Sequence, residues 1–197
     1  MSVAQSHYEE LLANCSSQPM AIEILRQHRP YLEMLPSIRR PEESLITIPF
    51  PTARIRGLSQ TGQEGTKPSQ GELVRLPCDV AVIMCDPDWK VKTGTEIFIF
   101  IHRPQEDFSD LLGRWRQTQV WLDKGYEWLM PPRYQHVFND GRGEPYPLFI
   151  VFDETPDRIK RGLQGAGLPY VAQILGIPVD EEQPQRSVPA EGLGAED

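Results

Sequence analysis

The first stretch of the chain sets apolar residues among polar ones at helical spacing. Tyr8, Leu11, Leu12 and Cys15 fall on one face, and Ser6-His7-Tyr8-Glu9 has the Ser-x-x-Glu form of a capping box. A first helix is therefore expected from Ser6. A second is expected from about Pro19, with Ala21, Ile24, Leu25 and His28 on one face, stopped or kinked at Pro30. Tyr31 to Leu35 adds one more turn, so that residues 6–35 form a helical segment before Pro36 and Pro41 break regular structure.

The period then changes to that of strands. Ser44 to Phe50 reads as a strand, and Pro49, which has no N–H to give to a ladder, places it at an edge or an end. Thr52 to Arg56 continues it past a bend. From Gly57 to Gly71 almost no apolar residue occurs, and residues 57–71 are expected to form a mobile loop, because little burial offsets the entropy of ordering them. Glu72 to Leu76 and Cys78 to Cys85 are strand-like, Asp86-Pro87-Asp88 begins a turn, and Glu96 to His102 is a second apolar run that completes a β-hairpin.

A longer helix is expected from Gln105 to Lys124, with Phe108, Leu111, Leu112, Trp115 and Leu122 toward the core and Gly125 just past its end. Tyr126 to Met130 and Tyr134 to Phe138 are short strand candidates around Pro131-Pro132, and Asn139 to Gly143 is a turn. Leu148 to Phe152 is apolar throughout, as in a strand covered on both faces. Thr155-Pro156 offers an N-cap and first residue for a helix carrying Ile159 and Leu163 and ending at Gly165, and Pro169 to Leu175 reads as a last short helix.

These elements predict a mixed α/β fold. A central mixed sheet holds the β-hairpin and a right-handed βαβ crossover running from Glu96 through Gln105 to Phe152, with helices packed on it and a helical segment at the N-terminus. Residues 1–178 are read as one domain. Residues 179–197, which include Asp180, Glu181, Glu182, Glu191, Glu196 and Asp197, are read as a disordered acidic tail.

Composition narrows the classes. With 197 residues, 39% of them hydrophobic, the chain can build a core of ordinary size. Its long apolar runs, such as Ile97 to Ile101 and Leu148 to Phe152, fall far short of the roughly 20 residues of a membrane span. No charged-then-apolar leader opens the sequence, and three cysteines do not make a disulfide framework, so a cytoplasmic location is expected. The net charge of -8 weighs against a general nucleic-acid binder, which needs a positive surface, although a local basic patch escapes that average.

The order and polarity of Leu76-Pro77-Cys78-Asp79-Val80-Ala81-Val82, of Phe98-Ile99-Phe100-Ile101-His102-Arg103, of the helix through Trp115, and of Tyr146-Pro147-Leu148-Phe149-Ile150-Val151-Phe152 followed by Asp157-Arg158 carry a likeness. From Leu76 to Leu163 the chain resembles the core of the PD-(D/E)xK nuclease-like superfamily, and more loosely its replication-relaxation proteins. That resemblance implies a setting in a mobile genetic element or phage. It also implies a divalent cation, such as magnesium, held by two carboxylates beside a lysine to activate water and neutralise developing charge. Asp79 would fill the first carboxylate position. Between Glu96 and His102, however, the second strand carries no ionisable side chain, which implies a scaffold that has lost its metal site.

Several constellations are candidates for chemistry. If the turn from Asp86 to Thr95 closes symmetrically, Asp79 lies directly across from His102, where a carboxylate could orient an imidazole for acid/base work or form a sheet-end hydrogen bond. Cys78, Cys85, His102 and His136 are the residue types of a zinc site. The two cysteines, however, lie an odd number of residues apart and should face opposite sides of a strand, as small buried hydrophobes do. Arg103, Arg114 and Arg116, with Trp115 and Trp121, combine cations and rings as a single-strand nucleic-acid surface does, although the same spacing suits the solvated face of an amphipathic helix. Trp121, off the main stripe, could anchor a protein partner.

No phosphate-binding glycine loop and no nucleophile elbow occurs. The expectation is a non-catalytic protein interaction or assembly module on a degenerate nuclease-like scaffold, with another protein as partner and no cofactor. The alternative is a metal-dependent nuclease using magnesium with Asp79, Glu96 and Asp86. A further reading has Asp79 and His102 as an enzyme's acid/base pair.

Overall fold

The computed structural model describes residues 3–15, 17–28, 44–55, 71–86, 88, 92–135 and 144–173. The expected turn at Tyr31 to Leu35, nearly all of the loop before Gly71, His136, the turn at Asn139 to Gly143 and the acidic tail lie outside them.

The fold is mixed α/β. In chain order come α1 (Gln5–Cys15), α2 (Gln18–His28), β1 (Leu45–Pro49), β2 (Thr52–Ile55), β3 (Glu72–Arg75), β4 (Val80–Cys85), β5 (Lys92–Ile101), α3 (Phe108–Asp123), β6 (Tyr126–Trp128), a 3-10 turn (Pro132–Tyr134), β7 (Glu144–Phe152), α4 (Asp157–Gly165) and β8 (Tyr170–Gln173). Strands β1-β4-β5-β7-β8 form one sheet in that order, and β3-β2-β6 a smaller one. In the large sheet β4 runs antiparallel to both β1 and β5, whereas β5, β7 and β8 are parallel.

Alternation along the strands divides the core in two. Ala81, Ile83, Cys85, Phe98, Phe100, Phe149 and Val151 face α3, α4 and the small sheet. Val80, Val82, Met84, Ile97, Ile99, Leu148, Ile150 and Phe152 face α1 and α2. The sheet is thus the middle of three layers, which is why its central strands read as unbroken apolar runs.

Pro49 ends the edge strand β1, as its missing N–H requires. At Phe50 (φ 46°) the chain turns left-handed and leaves the large sheet, so Thr52 to Ile55 joins the small sheet instead of prolonging β1. Pro145 and Pro147 sit within β7, a position usually hostile to proline. The Phe149 N–H goes to the Pro169 carbonyl on the β8 side at 3.0 Å, so the odd-numbered nitrogens of β7 point that way. β8 pairs only with Phe149 to Phe152, and the two prolines lie where no ladder bond is required.

Some expectations shift by a few residues. α1 starts at Gln5, which leaves Ser6 inside the first turn and not at a cap, while Gln5 Nε2 donates to Glu9 Oε1 at 2.7 Å. α3 starts at Phe108, because Asp107 accepts from the Asp110 N–H at 2.9 Å and from the Ser109 hydroxyl at 2.7 Å. Those donors, the backbone one first, hold the Asp107 carboxyl below its ordinary value. Gly125 (φ 81°) follows α3 as expected of a C′ glycine. The cap of α4 is Pro156, not Thr155, whose hydroxyl turns inward to accept from the Phe152 N–H at 2.9 Å.

Other expectations are overturned in kind. Tyr134 belongs to the 3-10 turn and not to a strand, since Pro131-Pro132 fixes a tight helical φ there. Tyr170 to Gln173, expected as helix, is the strand β8. So short an apolar segment has no period of its own, and the open side of β7 supplies ladder partners.

α3 carries one interior glycine on its exposed face. A β-carbon at Gly113 would meet nothing within 4 Å. Gly113→Ala is accordingly expected to stabilise the fold by about 0.5–1 kcal/mol, read as a higher urea midpoint with an unchanged slope.

Candidate functional site

The carboxyl ends of the parallel strands β5 and β7 are where α/β sheets commonly place their chemistry, and here polar side chains converge. Asp79, just ahead of β4, is fully buried. Its Oδ2 accepts the Ile101 N–H at 2.7 Å and a hydrogen bond from Arg114 Nη2, and its Oδ1 accepts Arg103 Nη2 at 2.9 Å and the Tyr8 hydroxyl at 3.0 Å. Four donors occupy a carboxylate with about four lone-pair sites. Tyr8 comes from α1 on one face of the sheet and Arg114 from α3 on the other, so this one carboxylate rivets all three layers.

Arg114 completes the knot. It sits on the inward stripe of α3 between Leu111 and Trp115 and is 8% exposed. Nε donates to the Pro77 carbonyl at 3.0 Å, and Nη1 donates to the Ile101 carbonyl at 3.0 Å and to Glu106 Oε1 at 3.2 Å. Its guanidinium also lies 5.5 Å from the centre of the Phe100 ring. Glu106 in turn accepts the Arg103 N–H at 2.9 Å. Two acids and two arginines therefore balance, as a buried charge cluster must. Burial opposes the charge on half-exposed Arg103, but Asp79 outweighs it and holds that guanidinium above its ordinary pKa. Burial, then the Asp79 charge, push the Tyr8 hydroxyl up, which keeps it a donor at neutral pH.

His102 does not pair with Asp79. The hairpin turn is tighter than a symmetric closure from Asp86 to Thr95, because β5 already begins at Lys92 and the register shifts between Ile83 and Cys85. Val80 then pairs with Ile99, which brings Asp79 to the level of Phe100 and leaves His102 beyond it. His102 is buried, with Nδ1 3.1 Å from the Thr155 hydroxyl and Nε2 3.0 Å from the Glu106 carbonyl. A carbonyl only accepts, so Nε2 donates to the Glu106 carbonyl.

Glu96 is 2% exposed and lies four residues from the Phe100 level, about 13 Å along the strand from Asp79. It accepts from the Tyr126 hydroxyl and, at 3.0 Å, from Trp128 Nε1, which fastens β6 of the small sheet to the large one. The two carboxylates do not face a common point. Asp86 belongs to the far turn, where its Oδ1 accepts the Asp88 N–H at 2.8 Å. Among the described residues no group of three or more His, Cys, Asp or Glu side chains could hold a metal ion.

The basic surface expected on α3 is not assembled as such. Arg114 is withdrawn into the interior, Arg103 is bound to Asp79, Arg116 lies on the exposed face, and Trp115 is buried against Phe98 and Phe100. Trp121 is half-buried under the Lys124 ammonium, 4.1 Å above its ring.

Cys78 and Cys85 both join the core beneath α3, contrary to the expectation of opposite faces, because Cys78 lies in a bend before the strand alternation begins. Burial, followed by the Asp79 charge, pushes the Cys78 thiol up, and burial with Asp86 does the same for Cys85. Both thiols are expected to resist iodoacetamide at neutral pH in the folded chain and to react fully in denaturant, as read by peptide mass mapping. Labelling of the native protein at a free-thiol rate would contradict that burial.

The roles of Tyr8, Glu106 and Thr155 were not legible in the sequence, where they stand on the face of the first helix, in the first turn of the expected Gln105 to Lys124 helix and at the expected cap of α4. Arg114 did leave a signal, since its spacing from Leu111, Trp115 and Leu122 puts a cation on an apolar stripe. Compared with known family models, curated proteins and solved structures, the chain matches none.

Proposed function

We propose that this chain is a non-catalytic protein interaction or assembly module. The observation that carries the reading is the engagement of three candidate reactive groups by the fold itself: Asp79 by four donors, His102 by Thr155 and Glu106, Glu96 by Tyr126 and Trp128. A general base or a cation ligand needs a lone pair that substrate or metal can reach, and these three side chains are buried. The nuclease alternative draws less support, since Asp79 and Glu96 would have to cross about 13 Å to share an ion.

The test is affinity capture of the intact chain from its native cell, with and without nuclease treatment. A protein partner retained in stoichiometric amount after nuclease treatment is the expected result. Magnesium- or manganese-dependent cleavage of DNA or RNA by the purified chain would overturn the reading.

A further inference from the structure

We propose that the edge of β3, which is open among the described residues, receives an extended, acidic segment of a protein partner as a fourth strand of the small sheet. This rests on the reading of the chain as an interaction module and names where that interaction occurs.

The ladder phase shows which groups the edge presents. The Leu76 N–H donates to the Pro51 carbonyl at 2.9 Å, in line with the pairing of Thr52 with Arg75. Even-numbered residues of β3 therefore bond to β2, and the N–H and C=O of Leu73 and Arg75 point away from it. β3 pairs with β2 alone among the described strands. Such a row of backbone groups is a template for another strand, and natural edges are usually blunted by proline, bulges or covering segments. β3 contains no proline and pairs with β2 without a register shift.

Side chains state what should lie there. Ala53, Ile55 and Val74 turn inward to the core, so Arg54, Leu73 and Arg75 occupy the outer face. Leu73 is 55% exposed, an apolar side chain at the rim. Arg54 has Glu127 across from it on β6, whereas Arg75 lies opposite Thr52. Its guanidinium is held 4.5 Å over the ring of Phe50, itself 39% exposed. An arginine set on an aromatic face is positioned for a carboxylate. The added strand should therefore carry an apolar residue beside Leu73 and an acidic one two positions away, beside Arg75, because alternate residues share a face. A second copy of this chain fits less well, since antiparallel pairing through Leu73 would bring Arg54 and Arg75 of both copies onto one face.

The experiment uses the full chain and a fluorescein-labelled, end-blocked heptapeptide, Thr-Glu-Thr-Val-Thr-Glu-Thr, which sets glutamate two positions from valine on the same face in either strand direction, followed by fluorescence anisotropy. The wild-type chain is expected to bind it at least about tenfold more tightly than the same peptide with lysine for glutamate. A version N-methylated at alternate residues on its pairing edge should not bind. Arg75→Glu should reverse the charge preference. Leu73→Pro should abolish binding while leaving the circular dichroism spectrum and urea midpoint unchanged, because the N–H it removes serves no bond to β2.

Equal binding of the acidic and basic peptides, binding that survives N-methylation, absence of binding, or sedimentation of the wild-type chain as a dimer dissolved by Arg75→Glu would each overturn the proposal. Native-cell capture separates its failure from that of the broader reading. A partner retained equally by wild type and Leu73→Pro removes only the β3 edge, whereas a wild-type chain that captures no protein removes the interaction module itself.

Discussion

Asp79→Ala is expected to cost about 3–5 kcal/mol of folding stability, a large share of the 5–15 kcal/mol typical of a domain. The cost arises from what is left behind. Arg114 stays buried with its Nη2 facing a void, and Tyr8, Arg103 and the Ile101 N–H each lose their acceptor at the point where the three layers meet. Urea unfolding followed by far-ultraviolet circular dichroism measures it. Asp79→Asn, which keeps two polar atoms in place but removes the charge, should fall between wild type and Asp79→Ala. A change below about 1 kcal/mol for Asp79→Ala would mean that the carboxylate is not structural, and its burial would then need another explanation.

Phe100→Ala is expected to cost a similar about 3–5 kcal/mol, for a different reason. Phe100 has no exposed surface, and its ring stacks on Phe149 at 5.3 Å and meets Trp115 edge-on at 5.8 Å. Removing it opens a cavity lined by rigid rings, which collapse poorly onto the space. Phe100→Leu, which fills much of that volume, should cost clearly less. Phe100 also lies under the Arg114 guanidinium, so the Asp79 and Phe100 substitutions share a neighbour and should not add simply. Equal midpoints for Phe100→Ala and wild type would count against the packing of α3 on the large sheet.

The two outcomes bear on function together. An acid that holds the fold cannot be removed to test catalysis without first showing that the variant is folded. Lost activity in Asp79→Ala is informative only beside its unfolding curve.

Much of the fold was legible from local pattern. The runs that became β4, β5 and β7, the inward stripe of α3, Gly125 after it and the edge position of Pro49 follow from side-chain period, backbone donors and glycine's freedom, all carried within a few neighbouring residues. The candidate site was legible only as a set of names. Asp79, Glu96, His102 and Arg114 stood out as polar groups beside apolar runs, but their partners did not.

The hairpin register shows why. A slip of two residues keeps every side chain on its own face, so the apolar pattern is blind to whether Asp79 lies level with His102 or with Phe100. Turn length decided it, and with it the exchange of an Asp79–His102 pair for the ion cluster of Asp79, Arg103 and Arg114. β8 was undetermined for a related reason, its segment being too short to declare a period until β7 offered an open side. The sequence by itself determined most of the longer strands and helices and the core positions on them, because those depend on neighbours along the chain. Only tertiary structure decided which buried charges would meet, because that depends on groups far apart in sequence arriving within hydrogen-bond reach.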